Sequence, residues 1–287
     1  MTSNHWTTIA KEIHKRYHEY DGFLVTHGTD TMVDTGCALS YAFGKNLNKP
    51  IVLTGSQSYP SILGTDARFN LENAFRVVIS DVADVVVSFG HYVFKAVRSQ
   101  KRHESDFNAF MSPSFPEVAY IRSKIQWTPF TKKKSDKEVE IDFRPDFESG
   151  ILNVKINASI NPKMIEEMID YKHVKGIIFE SLGSGNIPHK YIDVIKKAIK
   201  LDIPVLISSP FVGGSTSSAE TYKLGYEALK AGVIPTNDMT FTATYVKLMW
   251  CLAWINKSRE NQNIPKKIIP IVRIMFHKSY VGEVTIN

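Results

Sequence analysis

The stretch that decides the fold is Phe-Leu-Val-Thr-His-Gly-Thr-Asp-Thr-Met, residues 23–32. Its first four residues have strand character, the polar turn 27–30 follows directly, and the turn opens a helix that we predict to reach about Phe43. α/β proteins build sites where a buried strand ends beside a helix N-terminus. Thr and Asp are also favoured as helix caps, so this stretch by itself allows both interpretations.

Composition indicates an ordinary globular protein. The chain has 287 residues, of which 43% are apolar and 22% charged, and a net charge of +6. The basic clusters carry few interleaved aromatic residues, so we interpret them as solvated surfaces rather than as a nucleic-acid interface. The two cysteines, Cys37 and Cys251, lie in apolar helical patterns, which predicts buried thiols and neither a disulfide framework nor a metal site.

Both the N-terminus and the hydropathy profile favour a soluble protein. The N-terminus is polar and lacks the apolar run of a signal peptide. The longest apolar stretch, residues 248–255, is too short to span a bilayer. We therefore expect a cytoplasmic protein without membrane contact.

Strands and helices alternate along the first half of the chain. Apolar runs at 51–54 and 84–89 repeat the pattern of 23–26, and predicted helices separate them. This alternation predicts a parallel sheet with helices on both faces. Crossover handedness then brings the polar turns 27–30, 55–57 and 90–91 to one carboxyl edge.

Composition changes at residues 128–149, which are charged and contain Pro129 and Pro145. We interpret this segment as a linker between an N-terminal domain, 1–127, and a C-terminal domain, 150–287. The second domain repeats the alternation of strands and helices and reads as a smaller α/β unit. Its tail has strand character at 271–274.

Five ordered blocks resemble the bacterial-type L-asparaginase/glutaminase family, nearest to its cytoplasmic type I branch. They are Thr-His-Gly-Thr-Asp-Thr-Met at 26–32, Thr-Gly-Ser-Gln at 54–57, Asp-Ala-Arg-Phe-Asn-Leu at 66–71, Lys101 with Phe-Asn-Ala-Phe at 107–110, and Ser-Leu-Gly-Ser-Gly-Asn at 181–186. The resemblance runs from about residue 6 to 255. It implies a two-domain asparaginase-like α/β fold with a larger N-terminal parallel-sheet domain and a smaller C-terminal one.

One part of the family pattern is missing. The family begins with a strand ending in T-G-G-T-I, whose Thr is the nucleophile, then a hairpin with a Tyr and a substrate-clamping Ser/Asp turn. No T-G-G-T occurs in this sequence, and Met1 aligns with a point past these elements. We therefore expect an N-terminal domain without its first strand and hairpin, with a gene start placed too far downstream as one explanation.

The resemblance implies catalytic roles for Thr29, Asp30 and Lys101. Thr29 orients or polarises water or the acyl group, Lys101 acts as a base, and Asp30 holds the lysine and binds the substrate α-ammonium. An amide is a poor electrophile, so such an activated group is required. Lys101 also lies in a basic run, which allows the alternative of a surface lysine.

Further residues are assigned to substrate binding by the same resemblance: His27, Gly28, Ser56, Gln57 and Asn186. Other interpretations stay open for these residues. His27 can be a structural hydrogen-bonding residue, and residues 56 and 57 can form a turn without a binding role. Asn186 can reach the site of a neighbouring subunit. We interpret Asp66 as the cap of the helix that follows it.

Three functions remain open. The first is hydrolysis of L-asparagine to L-aspartate and ammonia, without metal or cofactor, by a homodimer or homotetramer. The second is a catalytically silent asparaginase-like protein. The third follows from residues 246–250, Val-Lys-Leu-Met-Trp, which look like the asparaginase-like subunit of archaeal glutamyl-tRNA(Gln) amidotransferase and would bring a partner subunit and tRNA.

Overall fold

The computed structural model describes residues 1–137, 139–171, 173–260 and 267–286. The chain divides into two compact units, Met1–Pro145 and Asp146–Asn287. The division falls inside the segment 128–149. Each unit is an α/β structure with its own sheet, and the first carries the larger sheet.

The first unit alternates helices and strands as far as its third strand and then forms a meander. Its helices are α1 (Ser3–Lys15), α2 (Met32–Phe43) and α3 (Ala67–Val78). Its strands are β1 (Phe23–Thr26), β2 (Ile51–Thr54), β3 (Val85–Phe89), β4 (Tyr92–Lys95), β5 (Gln100–Lys101), β6 (Phe110–Met111), β7 (Ala119–Ile121) and β8 (Ile125–Trp127).

The six-stranded sheet has the order β1-β2-β3-β4-β7-β8. Its first three strands are parallel, as predicted, whereas β4, β7 and β8 pair antiparallel, so the sheet is mixed. The side chains of β2 and β3 are buried, which their continuous Val, Ile and Leu runs require. β5 and β6 form a separate two-stranded ribbon.

The polar turns after the first three strands share one edge of the sheet, as predicted. The His27 N–H donates to Thr54 O at 2.8 Å, directly beyond the last β1–β2 pair. The Asn70 side chain joins the next two turns, because its Nδ2 donates to Gly55 O and its Oδ1 accepts from Gly90 N, each at 2.9 Å. This edge carries the residues of the candidate site.

The second unit is a four-stranded, fully parallel sheet with flanking helices. The sheet order is β12-β11-β10-β9. Its elements are β9 (Ile151–Lys155), α4 (Pro162–Asp170), β10 (Gly176–Glu180), α5 (Ile192–Lys200), β11 (Val205–Ser208), α6 (Lys223–Ala231), β12 (Ile234–Pro235), α7 (Phe241–Glu260) and α8 (Ile268–Phe276). A buried cluster of mainly Ile and Val side chains forms its core.

The tail was predicted to have strand character at 271–274, and this prediction is wrong because the segment lies in α8. Val272 and Phe276, one helical turn apart, are both buried. The Asp202 carboxylate accepts from the N–H groups of Ile268 and Ile269 at 2.7 and 3.2 Å, which satisfies the first turn of the helix. Burial on a helical face and this capping outweigh the strand propensity of the β-branched residues.

Three further features of the described residues concern thiols, metal ions and membrane spans. Cys37 and Cys251 are buried thiols, as predicted. Within the described ranges, no three His, Cys, Asp or Glu side chains are placed to hold a metal ion. None of the helices in these ranges has both the length and the hydropathy that crossing a membrane requires.

Candidate active site

Lys101 is brought to the turn after β1 by the β5–β6 ribbon, in which it pairs with Phe110. Its Nζ donates to Thr29 Oγ1 at 2.9 Å and to Asp30 Oδ1 at 2.6 Å. The three residues that were predicted to be catalytic therefore lie in direct contact, although about 70 positions separate the lysine from the other two. The Lys101 side chain is only 18% exposed, whereas that of Asp30 is 91% exposed.

The ion pair favours the charged form of Asp30. The hydrogen bond from Lys101, followed by the lysine's positive charge, holds the pKa of the Asp30 carboxyl below its usual range. Asp30 is therefore a carboxylate at neutral pH. It can stabilise an ammonium beside it or attract a ligand cation, but it does not supply a proton.

Gln57 is the second partner of Thr29. The Thr29 hydroxyl donates to Gln57 Oε1 at 3.1 Å, and Gln57 Nε2 donates to the carbonyl oxygens of His103 and Asp106 at 3.3 and 3.2 Å. Gln57 thus connects the turn after β1 with the segment that follows Lys101. Ser56, beside it on the β2 turn, is partly exposed.

His27 uses both ring nitrogens within the protein. Nε2 lies 2.9 Å from Thr35 Oγ1, and Nδ1 lies 2.7 Å from Gly28 O. These contacts fit the interpretation of His27 as a structural hydrogen-bonding residue that orients the turn. Gly28 itself has open space where a Cβ would stand.

Asn186 lies in the second unit, on a turn closed by reciprocal backbone hydrogen bonds between Leu182 and Asn186 at 2.9 Å. Gly183 and Gly185 have positive φ, which allows the tight turn. The buried Asn186 Oδ1 has no hydrogen-bond partner among the described residues. Its part in the site stays a prediction.

Asp66 does not cap the helix that it precedes, so that prediction is wrong: its side chain makes no capping hydrogen bond to α3. The carboxylate instead accepts from the N–H groups of Gln57 and Ser58 at 3.0–3.1 Å and from Asn70 Nδ2 at 2.9 Å. Asp66 and Asn70 are both buried, at 6% and 1% exposure. Together they hold the turn that carries Gln57.

Asn70 is the residue that sequence reasoning missed. The block at 66–71 included Asn70 without a role for it, and its place four residues after Asp66 sets both side chains on one helical face. Its partners, the turns at Gly55 and Gly90, come together only in the folded sheet.

A substitution at Gly55 tests how closely the turns after β1 and β2 must approach each other. A Cβ at this position would lie 2.1 Å from His27 O, so Gly55→Ala should push the two turns apart and destabilise the protein by about 1–3 kcal/mol. Thermal unfolding followed by calorimetry measures the effect. Gly28→Ala is the matched control, because Gly28 has φ −67° and open space around it, and we expect a change within about 0.5 kcal/mol. Equal losses in both variants would contradict the close approach.

Comparisons with known proteins agree with this architecture. Residues 1–133 match the family model for the N-terminal domain of asparaginase, and residues 151–264 match that for the glutaminase/asparaginase C-terminal domain. The L-asparaginase 1 of Escherichia coli K12 is 32% identical over 88% of this chain and 75% of its own length. The structure of the thermostable L-asparaginase from Thermococcus kodakarensis superimposes with a TM-score of 0.88, at 28% identity, over 99% of this chain and 82% of that one.

A second group of relatives consists of glutamyl-tRNA(Gln) amidotransferase subunits. One subunit of the glutamyl-tRNA(Gln) amidotransferase of Pyrococcus abyssi is 35% identical over 99% of this chain. The chain spans 64% of the length of that relative. Since both domain models, the E. coli relative and the T. kodakarensis structure agree with the two α/β units described above, the chain belongs to the asparaginase family.

Proposed function

We propose that the chain hydrolyses L-asparagine to L-aspartate and ammonia through Thr29, Lys101 and Asp30. The observation that carries the proposal is the contact of one largely buried lysine with a threonine hydroxyl and an exposed carboxylate. Family membership supports amide hydrolysis as the reaction class. The choice of asparagine is the finer part of the proposal.

The reaction adds water across the C–N bond of the side-chain amide, so that carbon gains a hydroxyl and nitrogen leaves as ammonia. Thr29 supplies or orients the attacking oxygen, and Lys101, when neutral, takes its proton. Asp30 stabilises the ammonium that this transfer creates and attracts the α-ammonium of the amino-acid substrate. The low pKa of Asp30 suits both roles, because the carboxylate stays charged throughout.

Replacing the Thr29 hydroxyl tests the proposal. Ammonia release from asparagine should fall at least about 100-fold in Thr29→Val, while Thr29→Ser, which keeps a hydroxyl, retains measurable turnover. Thr31→Val is the control, because Thr31 shares the turn but is not among the Lys101 contacts. If the unaltered chain releases no ammonia, either alone or with a partner protein and tRNA, hydrolysis is wrong and the silent asparaginase-like protein is favoured.

The amidotransferase role is the second candidate, favoured by 35% identity along 99% of the chain to the P. abyssi relative. In that role the ammonia would be used by a partner that acts on glutamyl-tRNA. Assays with asparagine and glutamine, each with and without the partner protein and tRNA, separate the two. Release of ammonia from asparagine by the chain alone supports the asparaginase, whereas release that requires partner and tRNA supports the amidotransferase.

A further inference from the structure

The side-chain amide of Gln57 has a defined orientation. Nε2 faces two carbonyl oxygens, those of His103 and Asp106, at 3.3 and 3.2 Å. Carbonyl oxygens only accept, so the nitrogen must lie on this side and Oε1 on the side of Thr29, 3.1 Å from its hydroxyl. Both N–H groups of the amide are thereby used inside the protein, which leaves no donor for a ligand.

This orientation determines where the Thr29 proton points. A lysine ammonium has three donors and no acceptor, so the Lys101 contact at 2.9 Å places an N–H on Thr29 Oγ1. While Lys101 is an ammonium, the hydroxyl proton is therefore directed to Gln57 Oε1. When the lysine is neutral, its lone pair faces the same oxygen and can take that proton. Gln57 and Lys101 together hold the Thr29 oxygen between them, with one of its lone pairs facing the lysine ammonium.

The backbone of Gln57 is held as firmly as its side chain. Its N–H and that of Ser58 donate to the buried Asp66 carboxylate, which Asn70 also contacts. Asn70 in turn binds the turns after β2 and β3. The side-chain amide of Gln57 therefore projects from a backbone segment that is already held in place. Precise placement of the neighbouring Thr29 hydroxyl requires such support.

The other end of the amide reaches the loop that follows Lys101. Residues 102–105 are exposed, and the loop returns to the β6 strand at Phe110. The contacts to His103 O and Asp106 O fasten this exposed loop to the turn after β2. A single side chain thus links the hydroxyl of Thr29 to the segment that carries its partner lysine.

We propose that Gln57 is a positioning residue, which orients the Thr29 hydroxyl and fastens the 102–109 loop beside Lys101, rather than a substrate contact. The inference rests on the proposed function of this site. Misplacing a reacting group can cost about 100-fold in rate, so Gln57→Leu should lower kcat by about 10- to 100-fold and change KM by less than about threefold. Gln126→Leu, which replaces an exposed glutamine on β8, is the matched control.

Gln57→Glu gives a readout that a purely structural role would not produce. The ionised glutamate still accepts from Thr29 but opposes the two carbonyl oxygens, whereas the protonated acid donates to one of them and restores part of the arrangement. The ratio of its kcat to that of the unaltered chain should therefore rise as pH falls through the range where glutamate is protonated. A ratio that does not change with pH would overturn the proposal.

Hydrogen exchange separates this proposal from the proposed function. Gln57→Leu should raise amide exchange in residues 102–109 at least about tenfold and leave the strands of the second unit unchanged, whether or not the chain hydrolyses asparagine. Unchanged exchange in the loop would overturn the fastening role. A raised KM with unchanged kcat would make Gln57 a substrate contact and overturn the positioning role. Failure of the unaltered chain to release ammonia, with raised exchange in the variant, would reject the proposed function alone.

Discussion

Lys101→Met should lower kcat/KM for asparagine hydrolysis by about 10²–10⁴-fold, the range that a positioned general base contributes. Methionine keeps a similar length but removes the group that contacts both Thr29 and Asp30. It leaves Thr29 without the partner that could take its proton. Steady-state ammonia release over a range of asparagine concentrations measures the change.

Stability should change far less than activity in this variant. The Asp30 carboxylate is 91% exposed, and ion pairs of such exposed groups contribute little. Lys124→Met, at an exposed position in the same unit, is the charge-matched control and should keep the full rate. A Lys101→Met protein with unaltered kcat/KM would remove the lysine from the mechanism and return it to the alternative of a surface residue.

Lys247→Ala should destabilise the second unit by about 3–5 kcal/mol, because it leaves a buried carboxylate without its counter-charge. Lys247 on α7 and Glu283 in the tail are both fully buried and form an ion pair. Lys247 Nζ also donates to Lys278 O at 2.9 Å, and the Glu283 carboxylate accepts from the N–H groups of Tyr280 and Val281 at 2.8–3.0 Å. The pair therefore fastens the tail to α7.

The pH dependence of this loss has a defined sign. Burial alone would raise the pKa of Glu283, but Lys247 and the backbone N–H groups outweigh it, so the pKa lies below the ordinary value. A carboxyl with a lowered folded pKa adds stability above its unfolded pKa, and that stability is lost as pH falls through the folded value. Without Lys247, burial dominates and the Glu283 carboxyl can protonate. The difference in unfolding free energy between the unaltered chain and Lys247→Ala should therefore narrow from about pH 7 to about pH 4.

Calorimetric melting at several pH values measures both effects, and the loss corresponds to about 6–20 °C at neutral pH. The double variant Lys247→Met/Glu283→Gln, which removes both charges, should recover part of the loss. Arg68→Met is the exposed-pair control, since Arg68 and Glu72 are 87% and 60% exposed, and should cost less than about 1 kcal/mol. Equal shifts for Lys247→Ala and Arg68→Met would contradict the buried pair.

Local patterns predicted those parts of the molecule that depend on neighbours in the chain. The apolar run 23–26 followed by Gly28 and Thr-Asp predicted a strand, turn and helix, which are present as β1, the turn and α2. Local propensity failed at 271–274, where β-branched residues suggested a strand, because Asp202 and the elements against which α8 packs, α7 and β12, lie outside any local window.

Asp66 shows the same limit of prediction from local sequence, here within the candidate site. Its position before a helix predicted a cap, since capping depends only on local sequence. The amides that it binds instead, those of Gln57 and Ser58, reach it from the turn after β2, and Asn70 links it to the β3 turn. Nothing in the spacing of these residues indicates that arrangement.

The sequence alone determined which residue types stand at the ends of the strands, because hydrophobic period and glycine placement are local properties. It therefore determined that Thr29 and Asp30 lie at the carboxyl edge of a parallel sheet. The family resemblance implied that Lys101 joins them, whereas only the tertiary structure decided which atoms Lys101 contacts and that Gln57 lies on the other side of the hydroxyl. These contacts join the ends of separate strands, and folding of the whole unit, rather than any single segment, creates them.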